Sequence, residues 1–483
     1  MRILLIQPGD SNTLGFRGTA LVEPLGLETV AGALAGHQVR LLDMRVEGDL
    51  ERVLDHFRPE VCGISCSFTL DRNLAVAAAE AARAADSRPY VVVGGHYASV
   101  NPRDFAHPAI DAVVVGEGET TIVDLVGSLE RGEDPRGVRG LVLNTPEGQH
   151  RTGVRRLAER LDGLPMPDRS LTRKHRKDYY LFAEKPMGTV ETARGCPYHC
   201  SFCSVWQFYR GRYRAKGPRR VVREVAAVEE EYVLFTDDNF LADVDRAMEI
   251  GVLLLAEGVH HRYAFQARSD TIVAYPGVVQ LWRKVGLEGV FVGVEKIDDR
   301  GLGTVSKQNS AENNERALEI LKREGVGVTA SFIVDPDWGS GEFDALRGYI
   351  ASHGLETPTF SVLTPLPGTV LHRQMKERIR VEAPELYDLL HAVVPTRLPL
   401  AEFYAQFAEL YRTSYPTQRL WSEGPRLLWR GLSRGNLGHL QRLAEAARKM
   451  GEPESYLQGH QRWDSEPSPT RVTAGLQGAV GGA

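Results

Sequence analysis

Three of the chain's five cysteines, Cys196, Cys200 and Cys203, stand within eight consecutive positions in the stretch "ETARGCPYHCSFCSVW". A C-x3-C-x2-C spacing puts three thiolates on one loop, enough for three irons of a [4Fe–4S] cluster and one short of the fourth. The iron without a protein ligand is then open to a substrate or cofactor. The other reading is a zinc ion completed by His199 or by a distant histidine. Zinc loops usually bring two separated ligand pairs, however, and this chain has no second pair of that kind. The remaining cysteines, Cys62 and Cys66, lie in or beside the apolar run "EVCGISCSF" and read as small buried side chains.

The elements around the cysteines say where that loop sits. From about residue 186 the strand candidates are "GTVETA", "EYVLFTDD", "RYAFQAR", "GVFVGVE", "GVTASFIV" and "TFSVLTP", with helical patterns such as "PRRVVREVAAVEEE" and "SAENNERALEILKREG" between them. Six β-α units predict a partial barrel, short of the eight of a closed one, with functional residues on the loops after the strands. The cysteines fall after the first of these strands.

Residues 1–140 show a separate alternation of "RILLIQP", "QVRLLDM", "EVCGISCS", "YVVVGGH" and "AVVVGEGE" with helical segments. Continuous apolar strands divided by helices predict a doubly wound parallel α/β sheet, with its ligand crevice at the strands' carboxyl ends. Gln7, Ser65, Gly94, Gly95, His96, Gly116 and Glu117 collect at those ends. The glycines there either admit a ligand close to the backbone or only shape tight turns. No G-x-G-x-x-G follows the first strand, which disfavours a dinucleotide.

The expected division is 1–140, a basic and proline-bearing solvated linker at 141–185, a partial barrel at 186–385, a helical region at 386–463 and a disordered tail at 464–483. Helical patterns in the fourth part include "APELYDLLHAVV", "AEFYAQFAELYRTSY" and "LGHLQRLAEAARKM".

Bulk properties narrow the class. The chain has 483 residues, 42% hydrophobic and 25% charged, with a net charge of −5. The acidic balance argues against nucleic acid as a partner. The thiol usage, with no signal-peptide pattern, predicts a reducing cytoplasm. Between Arg412 and Lys449, eight Lys/Arg stand against two acids, interleaved with Leu420, Trp421, Leu427, Leu428 and Trp429. That segment reads either as a basic helical cap on the barrel or as a contact with the inner membrane face.

The cysteine stretch resembles the radical S-adenosylmethionine (SAM) superfamily, through Cys196, Cys200, Phe202 and Cys203 with Gly195 and Pro197. The resemblance implies a [4Fe–4S] cluster whose open iron is chelated by SAM, and reductive cleavage of SAM to methionine and a 5′-deoxyadenosyl radical. It further implies that Phe202 contacts adenine. Asp237, Asp238 and Asn239 would meet SAM's amino end or the substrate, Arg268 SAM's carboxylate, and Glu295 its ribose or amino group. The alternative for each charged residue is a structural ion pair or a loop cap.

The first part of the chain resembles cobalamin-binding modules of one radical SAM subclass, through "EPLGLETVAGAL", "VVVGGHYAS" and "VVVGEGE". It lacks the D-x-H-x-x-G pattern that supplies cobalt's lower histidine elsewhere, and His96 reads as a pocket or loop residue. The combination implies a C-methyltransferase acting on an unactivated carbon, with one SAM supplying the methyl by way of cobalamin and a second the radical. Within the subclass "CSVWQFYRGRYR", "IVDPDW", "TPLPGT" and "HAVVPTRLPLAEFY" resemble the hopanoid C-3 methylase group, whereas "TDDNF" and the far C-terminal segment depart from it. Expected partners are a small-molecule or lipid substrate and an electron donor such as a flavodoxin or ferredoxin. Two other readings stand beside this one: a cyclase or oxidase using both cofactors without methyl transfer, and a non-catalytic metal- or cobalamin-binding protein.

Overall fold

A computed structural model describes residues 1–9, 14, 16–415 and 437–465. Leu420, Trp421, Leu427, Leu428 and Trp429 lie outside these residues, as does the tail from 466.

Seven strands form the first sheet: β1 (Arg2–Gln7), β2 (Gln38–Asp43), β3 (Val61–Ser65), β4 (Tyr90–Gly94), β5 (Ala112–Val114), β6 (Leu141–Thr145) and β7 (Gly148–Arg151). Their order is β2-β1-β3-β4-β5-β6-β7, parallel through β5 and antiparallel thereafter. Apolar side chains alternate between two cores. Ile3 and Leu5 pack with Val92 under helices Leu25–Ala33 and Gly118–Glu130. Leu4 and Ile6 pack with Cys62 and Val93 under helices Leu50–Phe57 and Arg72–Ala84. Burial on both faces is why these strands read as unbroken apolar runs. The strand order reverses between β1 and β3, which places the crevice at Gln7 and Ser65.

The second sheet has six parallel strands in chain order: β8 (Met187–Val190), β9 (Tyr232–Phe235), β10 (Arg262–Ala267), β11 (Leu287–Glu295), β12 (Gly327–Val334) and β13 (Thr359–Val362). Helices including Pro218–Ala226, Val244–Ala256, Pro276–Val285, Ala311–Arg323 and Ser340–His353 alternate with them as a partial barrel, and one large core of Val, Leu, Phe and Trp282 fills the space between. An open barrel leaves an edge of unpaired backbone groups that must be covered. Here Tyr411 and Tyr415 donate their hydroxyls to Phe360 O and Pro358 O, both at 2.7 Å, and Val362 N donates to Leu389 O at 2.7 Å. The two tyrosines lie in or just after helix Leu400–Ser414.

Two expectations need correction. The stretch "APELYDLLHAVV" is helical only as a single 3-10 turn, Pro384–Leu386. Leu389 takes a positive φ of 68°, and Asp388 Oδ1 accepts from Leu390 N and His391 N, so the segment turns along the barrel edge instead of coiling. The basic linker is also not simply solvated. Within the 3-10 segment Arg169–Asp178, half-buried Arg169 and Arg176 pair with Glu23, Glu28 and Glu230, carboxylates whose own burial demands cations. Arg173 and Lys174 do face solvent, where they pair with Glu229 and Glu47.

Candidate functional site

The cysteine loop leaves β8 through Glu191 and Thr192 and is held by the carboxyl end of β9. Asp237 accepts from Thr192 N at 2.6 Å and Ala193 N at 3.0 Å, and from the Thr192 hydroxyl. Asp238 accepts from Gly195 N at 3.2 Å. Residues Ala193–Arg194 then pair antiparallel with Arg214–Ala215, which closes the loop on itself. Gly195 has φ +88°, and a Cβ there would stand 2.1 Å from Arg212 O, so only glycine fits before Cys196. Further on, Ser201 N donates to Val305 O, Leu371 N to Ser201 O, and Trp206 Nε1 to Cys200 O. The loop is therefore fastened to three parts of the barrel.

Burial pushes all three thiols up, Cys203 to about 12, while Arg268 and Lys307 pull Cys200 partly back. Neutral thiols are poor ligands, so metal binding must release their protons and supply the positive charge that burial withholds. Among the described residues no three His, Cys, Asp or Glu side chains converge on one ion position. His199 is exposed and set edge-on to Trp206, with ring centroids 4.8 Å apart.

The other predicted residues gather at the same rim. Asp238 is solvent-accessible at the rim, with protein packed closely around its carboxyl. Burial, then the neighbouring Asp237, pushes its carboxyl up to about 7. Asn239 is 1% exposed, and neither its Oδ1 nor its Nδ2 has a partner in the structure. A buried amide left without partners is costly, so Asn239 fits a polar ligand. Glu295 ends β11 at φ +62°, a strained position for a non-glycine residue, and accepts from Lys307 Nζ at 2.7 Å. Phe202 packs against the small core of Ile333, Leu363 and Leu371. Arg268 is committed within the protein. It donates to Asp270, to Lys307 O at 3.0 Å and to Gln308 O at 2.8 Å, and it lies 3.5 Å from the Tyr198 ring centroid. It braces the first half of the cysteine loop through Tyr198.

On the first sheet, Gly95 has φ +115° and would clash with Cys66 O at 2.6 Å if it carried a Cβ. Gly116, at φ +95°, has open space there. Gly94 O accepts from Cys66 N at 2.7 Å. Gln7 and Ser65 end the switch-point strands β1 and β3, each half-buried. His96 crosses to the other sheet's loop. Its Nε2 meets Ser204 Oγ at 2.9 Å, its ring stacks on Phe208 at 4.6 Å, and burial holds it neutral, down to about 4. Glu117 crosses as well, accepting from Arg194 at 3.0 Å and Ala158 N at 2.7 Å and forming an ion pair with Arg214 at 2.8 Å. Burial opposes its charge, but these donors prevail and its carboxyl lies below the usual range.

Arg194, Arg214 and Glu191 were missed as functional residues. Arg194 is 7% exposed and meets Glu117, Glu119 at 2.5 Å and Glu191 at 2.9 Å, two positions before Cys196. The only trace of this in the sequence is the charge-rich pair "GEGE" and "ETARG", which lie far apart along the chain.

Two α/β sheets, one with glycine-lined strand ends and one with a three-cysteine loop, meet edge to loop. This defines a cobalamin-binding radical SAM enzyme. The B12 binding domain family matches residues 16–126 and the radical SAM superfamily matches residues 190–345. The chain belongs to the cobalamin-binding radical SAM family. It is similar to the hopanoid C-3 methylase of Methylococcus capsulatus, 34% identical over 91% of this chain and 86% of that protein. Its fold matches TsrM, a radical SAM methyltransferase of Kitasatospora setae solved with cobalamin and a [4Fe–4S] cluster. That match has a TM-score of 0.68 at 18% identity over 92% of this chain and 99% of that one. It also matches OxsB, solved with aqua-cobalamin and SAM, with a TM-score of 0.69 at 17% identity over 96% and 78% of the two chains. Among the described residues no helix is long and apolar enough to cross a membrane.

Proposed function

We infer that this enzyme is a cobalamin-dependent radical SAM C-methyltransferase that methylates an unactivated carbon of a polycyclic, hopanoid-like lipid. The observation that carries the reading is the His96–Ser204 contact at 2.9 Å, which puts the glycine edge of one sheet against the residue following Cys203. A methyl donor on one side and a hydrogen-abstracting radical on the other then act on one substrate between them. When bound, SAM at the cluster supplies the radical and cobalamin supplies the methyl group.

In this reading residues 1–140 hold cobalamin, with Gln7, Ser65, Gly94, Gly95 and Gly116 giving the flat ring close access to backbone. Residues 186–385 hold the cluster through Cys196, Cys200 and Cys203. Asp238, Asn239 and Glu295 offer hydrogen-bond partners to SAM, and Phe202 an apolar face. Asp237 and Arg268 position the loop from behind. Residues 386–415 close the barrel edge, with 437–463 packed beside them.

The substrate class is supported by the 34% identity to the hopanoid C-3 methylase over most of both chains. The stretch "HAVVPTRLPLAEFY" supports shared architecture, because His391, Phe403 and Tyr404 in it are buried in the edge cover. The test is anaerobic reconstitution with cobalamin and methyl-deuterated SAM, given a hopanoid acceptor and followed by mass spectrometry. Deuterated methyl in the product, with 5′-deoxyadenosine released, is the expected result. Release of 5′-deoxyadenosine with an oxidised or cyclised but unlabelled product identifies the cyclase or oxidase reading instead. No cleavage of SAM at all would leave only a binding protein.

A further inference from the structure

Radical cleavage of SAM consumes one electron that no side chain of this chain supplies, so a reductant must reach the cluster from outside. The surface nearest the cysteine loop is unlike the rest of this acidic chain. Arg212 is exposed, and its carbonyl lies against Gly195, next to Cys196. Gly211 lies against exposed His199, next to Cys200, so this surface covers the first half of the loop. Arg210, also exposed, donates from Nη2 to Arg155 O at 3.3 Å, which brings in the segment after β7. Arg155 in turn donates to Arg139 O at 3.1 Å, and the Arg139 guanidinium passes over Gly153. Arg156 is exposed beside them.

Arg139, Arg156, Arg210 and Arg212 make no ion pair among the described residues. Among the nearby acids, Asp124 pairs with Arg155, Asp162 accepts from Gly217 N and Asp238 from Gly195 N, with exposed Glu159 at the margin. Among these arginines lies Val154, 68% exposed, the highest exposure of any large apolar side chain in the described residues. A small apolar centre ringed by unpaired charge of one sign is the anatomy of a transient, electrostatically steered protein contact. Leaving four guanidinium groups mutually repelling on a chain of net charge −5 has no folding benefit.

We propose that Val154 with Arg139, Arg156, Arg210 and Arg212 is the docking surface for a small acidic one-electron carrier protein. One electron leaves the reduced carrier and enters the cluster held by Cys196, Cys200 and Cys203; the carrier departs oxidised by one electron and no bond is made or broken at the surface. The proposal rests on the radical SAM reading of those cysteines. The patch draws on both sheets, since Arg139 and Arg156 flank the first and Arg210 and Arg212 follow the cysteine loop. Carrier docking is thereby possible only when the two parts are assembled.

The test uses the full, cluster-loaded chain, a reduced bacterial flavodoxin as the probe, and dithionite at high ionic strength as a reductant that needs no docking. Arg139→Glu, Arg156→Glu, Arg210→Glu and Arg212→Glu are combined, with Arg210→Gln/Arg212→Gln as the milder variant. Stopped-flow reduction of the cluster by flavodoxin should slow by roughly tenfold or more, with a flattened salt dependence. Calorimetric binding of oxidised flavodoxin should weaken in parallel, while the dithionite rate stays within about twofold. An unchanged flavodoxin rate overturns the proposal. So does an equal loss with dithionite in both variants, which would mean that the cluster itself was disturbed. Lost binding to anionic vesicles or to an oligonucleotide, with flavodoxin reduction intact, would assign the patch to that other partner. Failure of dithionite to reduce the unsubstituted chain would instead bring down the radical SAM reading on which the proposal stands.

Discussion

At Gly195 a backbone requirement and a chemical one coincide. Its φ of +88° and the 2.1 Å approach of a hypothetical Cβ to Arg212 O leave no room for a side chain one residue before the first cluster ligand. Gly195→Ala should cost about 2–3 kcal/mol in unfolding free energy through strain and displacement of the Arg212 backbone. It should also reduce iron incorporation more than the loss of stability alone would, measured as iron per folded chain after anaerobic reconstitution. Cys203→Ala separates the two effects. It removes a ligand while leaving the turn intact, so the chain should melt normally in its metal-free form and lose the iron–sulfur absorption and SAM cleavage. Retention of both signals by that variant would refute the cluster assignment.

Helix Leu25–Ala33 and the segment Arg169–Asp178 show how an element can be held by groups that resist their own charge. Glu28 is fully buried, and burial pushes its carboxyl up to about 7 against the pull of Arg169 and Thr172. A carboxyl raised in the folded state binds more protons there than in the unfolded chain, so stability falls as pH rises from about 4.5 to about 7 and is level above that. The fall has a ceiling of about 3 kcal/mol. Glu28→Gln should flatten this slope, read as the melting temperature across pH 5 to 8, roughly, under one buffer ionic strength. On the barrel edge, Tyr411→Phe should cost about 1–2 kcal/mol, because Phe360 O loses its only donor from that side. This scale also marks what the sequence could disclose. The eleven parallel strands and most helices were legible because their apolar periods are local. The edge cover at 388–391 and the buried pairs of Arg169 and Arg176 were not, because each depends on partners from a distant segment. At the site the three cysteines were legible by spacing alone, while Arg268 and Glu117 were seen as rim charges without the ion partners that give them their place.

The assembly of the two sheets turns on a few buried crossings, and Arg194 carries the most charge among them. Its guanidinium meets Glu117 and Glu119 from the first sheet's last helix and Glu191 from its own loop. Removing one partner of such a network leaves carboxylates buried without compensation, at about 3–5 kcal/mol. Arg194→Gln should therefore lower unfolding free energy by that order, and Arg194→Gln combined with Glu119→Gln should recover part of the loss, an interaction energy visible in a double-mutant cycle. The functional consequence follows from what the arginine joins. It leaves Cys196, Cys200 and Cys203 on their own loop, tied to Val305, Leu371 and Trp206, so SAM cleavage should survive. What weakens is the fixed distance between that loop and the glycine edge at Gly94–Gly95, now borne by the contacts of His96 with Ser204 and Phe208 and by the Glu117–Arg214 pair. The expected signature is uncoupling: 5′-deoxyadenosine released at near the usual rate, with methylated product falling by about tenfold. Equal loss of both would mean that Arg194 serves the cluster loop only, and that the two cofactor sites are registered by other contacts.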